Sequence, residues 1–584
     1  MMDMMTENGY SVPDYSGAIT PEFKSRVLTA YRDYKADKES LKNSVIENYK
    51  WYARQHGMRF SDSENKPIST TEYIFNAIEN KYTDALDNYP EVCVLEREAT
   101  DAGAAEALSK ILPVQLEFSN FKKAYKDNWR RKMKGGTGIY FVDYDGDSEE
   151  IVIKSVNLLA FFSDFNVSNI QESSFVFVTQ AEDNEELKLR YPEYSACFEG
   201  DCNIETVEGI KKLSDRTEIV DCYYKKAIVD DEGKIKNVVH MMKLAGEVII
   251  DATEDIPGYE GGLYKHGKYP FVLDIMYPIE DCPFGFGLID VVKGIQEYID
   301  KIDECVEKNT ILASKARYVV KENAGINTED LADFSKEIIT ASGGNLEEVI
   351  RELQLKGLPA YITNYRDRKI EELKEIIGNR DFQHGGNAGG VTSGSAIELL
   401  QRSGEKMSRA TVDDSYDAYR EICIMVIDLM RQFFREERIY RITGDSGEKE
   451  FISITGGDLM AKDALGFPDD SKPTCFDVSI TAQKSNPYTK QGNNQTMTQL
   501  WELGVFAPQN LESSIILIKN MQFDGKEKLI QDMQTKLEEF KQQQMQMQQQ
   551  MMQQQMMQQP VQPPIQPPQP IQPQGEETVA IPIG

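Results

Sequence analysis

Gly262-Leu-Tyr-Lys-His-Gly267-Lys268 has the G-x-x-x-x-G-K spacing of a loop that cradles phosphates. That chemistry also needs a Ser or Thr hydroxyl for Mg²⁺ and a helix whose N-terminus faces the phosphates. Tyr269 and Pro270 stand in those places, so the segment reads as a turn before a buried strand, Tyr269 to Ile275. Asp143-Tyr-Asp145-Gly-Asp147 opens like a calcium loop, and a carboxylate cluster of this kind could also hold the metal of a nuclease. Its sixth position is Ser148 instead of Gly and its twelfth is Lys154 instead of Glu, so Asp145-Gly146 reads better as a hairpin turn. The four histidines, His56, His240, His266 and His384, are scattered and form no H-E-x-x-H or H-x-E motif. The eight cysteines, at 93, 197, 202, 222, 282, 305, 423 and 475, include no C-x-x-C pair, which disfavours zinc and disulfide frameworks. No G-x-S-x-G nucleophile elbow occurs. No catalytic, cofactor-binding or metal-binding residue is expected.

One polar stretch remains. Between Gly378 and Gly394 there are six glycines in 17 residues, with Arg380, Gln383, His384 and Asn387 among them. Glycine lets a backbone pass through unusual dihedral angles. The stretch reads either as a surface loop or as a loop that changes shape against something sliding past it.

Composition sets the frame for these residues. The chain has 584 residues, 96 acids against 65 bases and a formal charge of −31, with 40% hydrophobic residues. It is too long for one core and apolar enough to bury several. So acidic a chain is not an ordinary sequence-reading DNA binder, which needs a basic face. No run of about 18 uncharged apolar residues suggests a membrane span, and the first ten residues do not look like a secretory signal.

The periodicities give an α+β fold, mainly helical. Helical patterns cover Pro21 to Arg54, Thr70 to Asn88 (with Pro90 beyond it), and Ala102 to Met133, where Pro113 should interrupt or bend the helix and Gly135-Gly136 end it. Strand-like runs follow at 138–144, 151–156, 174–179, 218–225, 238–243 and 247–250. Leu288 to Lys315 is a long helix with the stripe Ile289, Val292, Ile295, Ile299 and Ile302; Lys293, Glu297, Asp300, Lys301 and Glu304 lie off it. A second helix spans Tyr361 to Ile377. After the glycine-rich stretch, Ser395 to Glu398 looks like a capping box opening a helix that runs to about Arg438. A strand pair is expected at 449–455 and 475–482. From Lys526 a helix could continue into a Gln/Met-rich segment, with a Pro/Gln-rich end after it.

The order of these features resembles the portal proteins of tailed bacteriophages (head-to-tail connectors of podovirus or siphovirus type), from about Ala18 to Ile530. Lys134-Gly-Gly-Thr-Gly138 followed by Ile139-Tyr-Phe-Val-Asp-Tyr-Asp145, then Asn157-Leu-Leu-Ala-Phe-Phe-Ser-Asp164, is similar to the start of the family's wing. His266-Gly-Lys-Tyr-Pro-Phe271, Phe284-Gly-Phe-Gly-Leu288, Gln296 and Asn309 resemble the run into its long stem helix. Gly390-Val-Thr-Ser-Gly-Ser395 resembles the exit from its tunnel loop, and Ser485-Asn-Pro-Tyr488 with Leu500 to Gly504 its last strand and the start of its crown.

The resemblance implies a flexible N-terminus (1–19), a wing (20–287 and 395–484), stem helices (288–316 and 359–378), a small α/β clip (317–358), a tunnel loop (379–394), a helical crown (485–540) and a Gln/Met/Pro-rich tail (541–584). It implies a ring, usually of twelve copies, at one capsid vertex of the virion, assembled in the host cytoplasm. Double-stranded DNA would pass through it without sequence specificity during packaging and ejection. Partners would be the terminase large subunit, a head–tail adaptor, the major capsid protein and the scaffold; no cofactor, no enzymatic activity and no membrane are implied. Arg380, Gln383, His384 and Asn387 would be tunnel-loop contacts, and Lys293, Glu297, Asp300, Lys301 and Glu304 stem candidates for the channel wall. The alternatives are another virion structural or assembly protein, or a metal-dependent nuclease subunit built on Asp143, Asp145 and Asp147.

Overall fold

The computed structural model describes residues 17–53, 71–97, 101–229, 235–314, 318–320, 350–352, 359–378, 406–443, 449–462, 468–474, 476–484 and 526–557, with single positions at 15, 233 and between 499 and 518. Two compact units result, Met1–Ile442 with Glu450–Ser485, and Thr443–Lys449 with Asn486–Gly584.

The first unit opens with helices α1 (Pro21–Asp37) and α2 (Glu39–Tyr52). The single helical pattern expected there is broken at Lys38, whose buried ammonium donates to the carbonyls of Leu158 and Phe161 and lies 4.2 Å from the Phe162 ring centre. Burial lowers the Lys38 pKa well below its usual value. Helix α3 (Tyr73–Asp87) runs straight into strand β1 (Asn88–Leu95). Pro90 lies beyond the helix end, as expected, and sits within β1.

Helices α4 (Ala102–Phe118) and α5 (Phe121–Gly135) follow. The break falls at Ser119-Asn120, where Asn120 is left-handed (φ 57°), and not at Pro113, which lies inside α4. Burial of Ile111, Leu112 and Leu116 around Pro113 offsets its one lost backbone bond. Gly136 ends α5 as the sequence indicated: its φ is 83°, and a Cβ there would stand 2.2 Å from the Gly285 carbonyl oxygen.

Strands β2 (Thr137–Asp145) and β3 (Glu150–Val156) form the expected hairpin. Next come β4 (Phe161–Ser163), β5 (Phe175–Asp183), helix α6 (Asn184–Arg190), β6 (Cys202–Thr206), β7 (Gly209–Leu213), β8 (Arg216–Val229), β9 (Ile235–Ala245), β10 (Val248–Ala252) and β11 (Phe271–Ile275). Antiparallel pairing gives a five-stranded sheet, β10-β9-β8-β5-β4, and a three-stranded one, β11-β2-β3. Helix α1 covers the larger sheet, burying Val27 and Tyr34 against Phe162, Phe177 and Tyr224. Strands β12 (Tyr277–Pro278) and β13 (Gly285–Phe286) lead into α7 (Leu288–Ser314); β14 (Tyr318–Val320) pairs with β15 (Ile350–Glu352), and α8 (Ala360–Ile377) returns.

Helix α9 (Lys406–Phe433) is buried along most of its length by Tyr419, Ile422, Val426, Leu429 and Met430. It ends at Phe433, before the Arg438 expected; β16 (Arg438–Thr443) starts there and pairs with β17 (Lys449–Ile454). Strands β18 (Met460–Lys462) and β19 (Pro468–Pro473) pair, and β20 (Asp477–Lys484) pairs with β1. The strands expected near 449–455 and 475–482 both form, but each pairs with a different partner. The capping box at 395–398 lies outside the described residues. In the second unit, α10 (Lys526–Met557) buries Ile530 and Met533 against Ile515 and Ile518, and Lys541 meets Glu512 at 2.7 Å.

Candidate functional site: the paired long helices

Helix α7 is locked at its start. The Gly287 N–H donates to Asp290 Oδ2 (3.1 Å), a carboxylate in the first turn where the helix dipole favours it. Asp290 also accepts from Ser44 (3.1 Å) and Asn48 (2.8 Å) of α2 and from Lys293 (3.0 Å). One residue therefore caps α7 and ties it to α2. A Cβ on Gly287 would stand 2.7 Å from the Met133 carbonyl oxygen, so glycine lets α7 begin against the end of α5. Ile289, Val292 and Ile299 are fully buried, as the apolar stripe indicated, with Ile295 packed against the same core. Gln296 Nε2 donates to the Thr71 carbonyl (2.7 Å) and to Asp300 Oδ1 (2.9 Å).

Further along, α8 joins α7. Arg366 forms a two-pronged ion pair with Asp303, its second prong 3.0 Å long, and Leu373 and Ile377 are buried. Gly378 ends α8 in the left-handed region (φ 76°), its N–H bonded to the Glu375 carbonyl (3.0 Å). The segment between the two helices carries the antiparallel pair β14–β15, with Tyr318 opposite Glu352. The pair of helices is thus held to α2, α3 and α5 at one end and carries a short strand pair on its connection.

The charged candidates on α7 divide by position. Asp300 is 3% exposed and bonded to Gln296 and Thr71, so it serves the packing of α7 and offers no surface to a passing ligand. Lys293 is half-buried, held by Asp290 and by Asn48 (3.4 Å). Glu297 and Lys301 pair on the solvent side (3.1 Å), as do Glu304 and Lys308 (2.5 Å). Arg380, Gln383, His384 and Asn387 lie outside the described residues. The α8 face was missed by the sequence reading. Asp367, Glu371 and Glu375, spaced by four, are all exposed, as are Tyr361 and Tyr365. The i, i+4, i+8 spacing of those three acids was the available signal.

The chemical alternatives find little support among the described residues. Asp145 accepts from the Asp147 N–H (3.1 Å) and the Ser148 hydroxyl (2.8 Å), while Asp143 turns away to accept from Tyr264 (2.6 Å). No group of three or more metal-ligating side chains occurs among the described residues. Residues 262–268 lead through Tyr269-Pro270 into β11, and the Lys268 N–H bonds to His266 Nδ1 (3.0 Å), closing the turn. Lys132 Nζ lies 2.6 Å from both Asp274 Oδ1 and Ser415 Oγ, a serine–lysine approach that could suggest a nucleophile. Lys132 is 0% exposed, so no substrate reaches it; the cluster pins α5, β11 and α9 together.

A family model described as phage P22-like portal protein matches residues 61–577. The match begins after α1 and α2 and extends past Ile530 into the C-terminal segment. No curated protein in the comparison matches the chain.

Proposed function

The chain belongs to the phage P22-like portal protein family, and from that premise we propose that its copies close into a ring through which double-stranded DNA enters and leaves the capsid. The observation that carries this reading is the pair α7 and α8, joined through a short strand pair and followed directly by the glycine-rich segment. Such a hairpin, repeated around a cyclic axis, builds a tube wall. Twelve copies would make a ring of roughly 800 kDa.

In this reading residues 20–287 and 395–484 are the wing, α7 and α8 the stem, 317–358 the clip and 379–394 the tunnel loop. The crown is 485–540, with the Gln/Met/Pro-rich tail after it. The clip docks the terminase motor and later the head–tail adaptor, while the wing meets capsid and scaffold proteins. ATP hydrolysis resides in the terminase. The acids Asp367, Glu371 and Glu375, together with Glu297, Lys301 and Glu304, are the stem residues best placed to face DNA. An acidic wall repels phosphates, so a duplex slides past without being held. Among the described residues no helix is long and apolar enough to cross a membrane.

Electron microscopy of the purified protein tests this. Rings with a central hole are expected; monodisperse monomers at high concentration would refute it.

A further inference from the structure

Helix α5 runs against the charge of the whole chain. Its fifteen residues carry Lys122, Lys123, Lys126, Arg130, Arg131, Lys132 and Lys134 against one acid, Asp127, in a protein with 31 more acids than bases. Lys132 turns inward to Asp274. The other six are exposed or half-buried, and Lys122, Lys126, Arg130 and Lys134 follow at intervals of four, which places them in one row along the helix. Among the described residues the six make one ion pair, Arg130 to Glu79 at 3.4 Å. Lys122 and Lys134 lie only over tyrosine rings, at 5.9 Å from Tyr89 and 4.5 Å from Tyr52.

Two further features mark the row as more than a solvated face. Helices α1, α2, α6 and α7 each place an acid in the first turn, where the dipole favours it, and α3, α4, α8 and α9 place none there. In α5 the first turn instead holds Lys122 and Lys123, so local helix stability is sacrificed to put cations there. Exposed aromatics also stand at both ends. Phe118, 65% exposed, precedes the Asn120 cap, and Phe75, tilted against Tyr52 with ring centres 5.4 Å apart, lies beside the ring that Lys134 covers. Arg130, Arg131 and these aromatic rings are residue types enriched at protein interfaces, and the lysines suit the charged rim of one.

We propose that the basic row of α5 is a subunit contact, docking on an acidic face of the neighbouring copy of this chain. The inference rests on the ring reading and adds to it the surface that selects the neighbour. A closed ring needs two different, complementary faces on one chain. Copies that each carry a charge of −31 repel one another everywhere except where a basic face meets an acidic one.

The full-length chain provides the test, as wild type and as the triple variant Lys122→Glu, Lys123→Glu, Lys126→Glu. Glutamate keeps the helix propensity, and none of these lysines makes an ion pair among the described residues. The wild type should form rings, and the variant, with acids now at the start of α5, should melt no lower than the wild-type monomer yet stay monomeric or need at least about tenfold more protein to close. Independently of the variant, acetylation of Lys122, Lys123 and Lys126 should be suppressed in wild-type rings relative to monomers. Equal acetylation in rings and monomers overturns the proposal, as does a variant that closes as readily as the wild type. Protection that appears only when duplex DNA is added also overturns it and assigns the row to nucleic acid. A wild type that forms no ring at all sinks the ring reading itself, and this inference with it.

Discussion

His266, inside the segment that imitates a phosphate loop, has a structural role. Its ring stacks on Tyr264, with centroids 5.1 Å apart and planes within 7°, and its Nδ1 accepts the Lys268 N–H. Burial, helped by the Lys268 charge, lowers its pKa from 6.5 to about 4. The unfolded chain therefore takes up a proton first as pH falls. The stability tied to this ring is fully present above pH 6.5 and is lost between 6.5 and about 4. At full effect this amounts to about 3 kcal/mol. His266→Gln should flatten that part of the pH profile. Urea midpoints at pH 7 and pH 4.5, for wild type and variant, measure it; an unchanged slope in the variant would place the acid sensitivity elsewhere.

At the scale of elements, Asp290 joins a helix start to its neighbour. Asp290→Ala removes the acceptor of the Gly287 N–H and leaves Asn48 and Ser44 without one partner each. The expected loss is about 2–3 kcal/mol in chemical denaturation, with less effect from Asp290→Asn, which keeps an acceptor oxygen. A loss below about 0.5 kcal/mol would mean that water replaces these bonds freely. The long helices were legible in the sequence because a 3.6-residue stripe such as Ile289, Val292 and Ile299 needs no knowledge of its partner. Strand β1 was not, because Asn88 to Leu95 is specified by a partner at the other end of the chain and sits behind a helix with no turn residue between. Pro113 misled because core packing overrode the local rule, and β17 and β20, expected to pair with each other, pair with β16 and β1 because strand type is local but pairing is not. The charged rows fared similarly. Spacing finds a row, but only burial shows that Asp300 belongs to the interior and Asp367 to the surface.

For the molecule as a whole, the proposed channel makes the net charge of −31 the quantity that would govern how DNA is met. Purified protein should bind duplex DNA weakly at physiological salt, with a dissociation constant above about 1 μM. A titration by fluorescence anisotropy checks this, and sub-micromolar binding would contradict a wall that lets DNA slide. The β1–β20 ladder adds a constraint of another kind. Val92 pairs with Ile480, a partner 388 positions later in the chain. On the ribosome, at about 5–20 residues per second, β1 waits roughly 20–80 s for its partner to emerge. Until then Val92 and Val94, buried in the finished fold, have no strand to cover them. A nascent chain thus completes this part of its fold only near the end of synthesis, so a truncated product reaches the assembly pool without it.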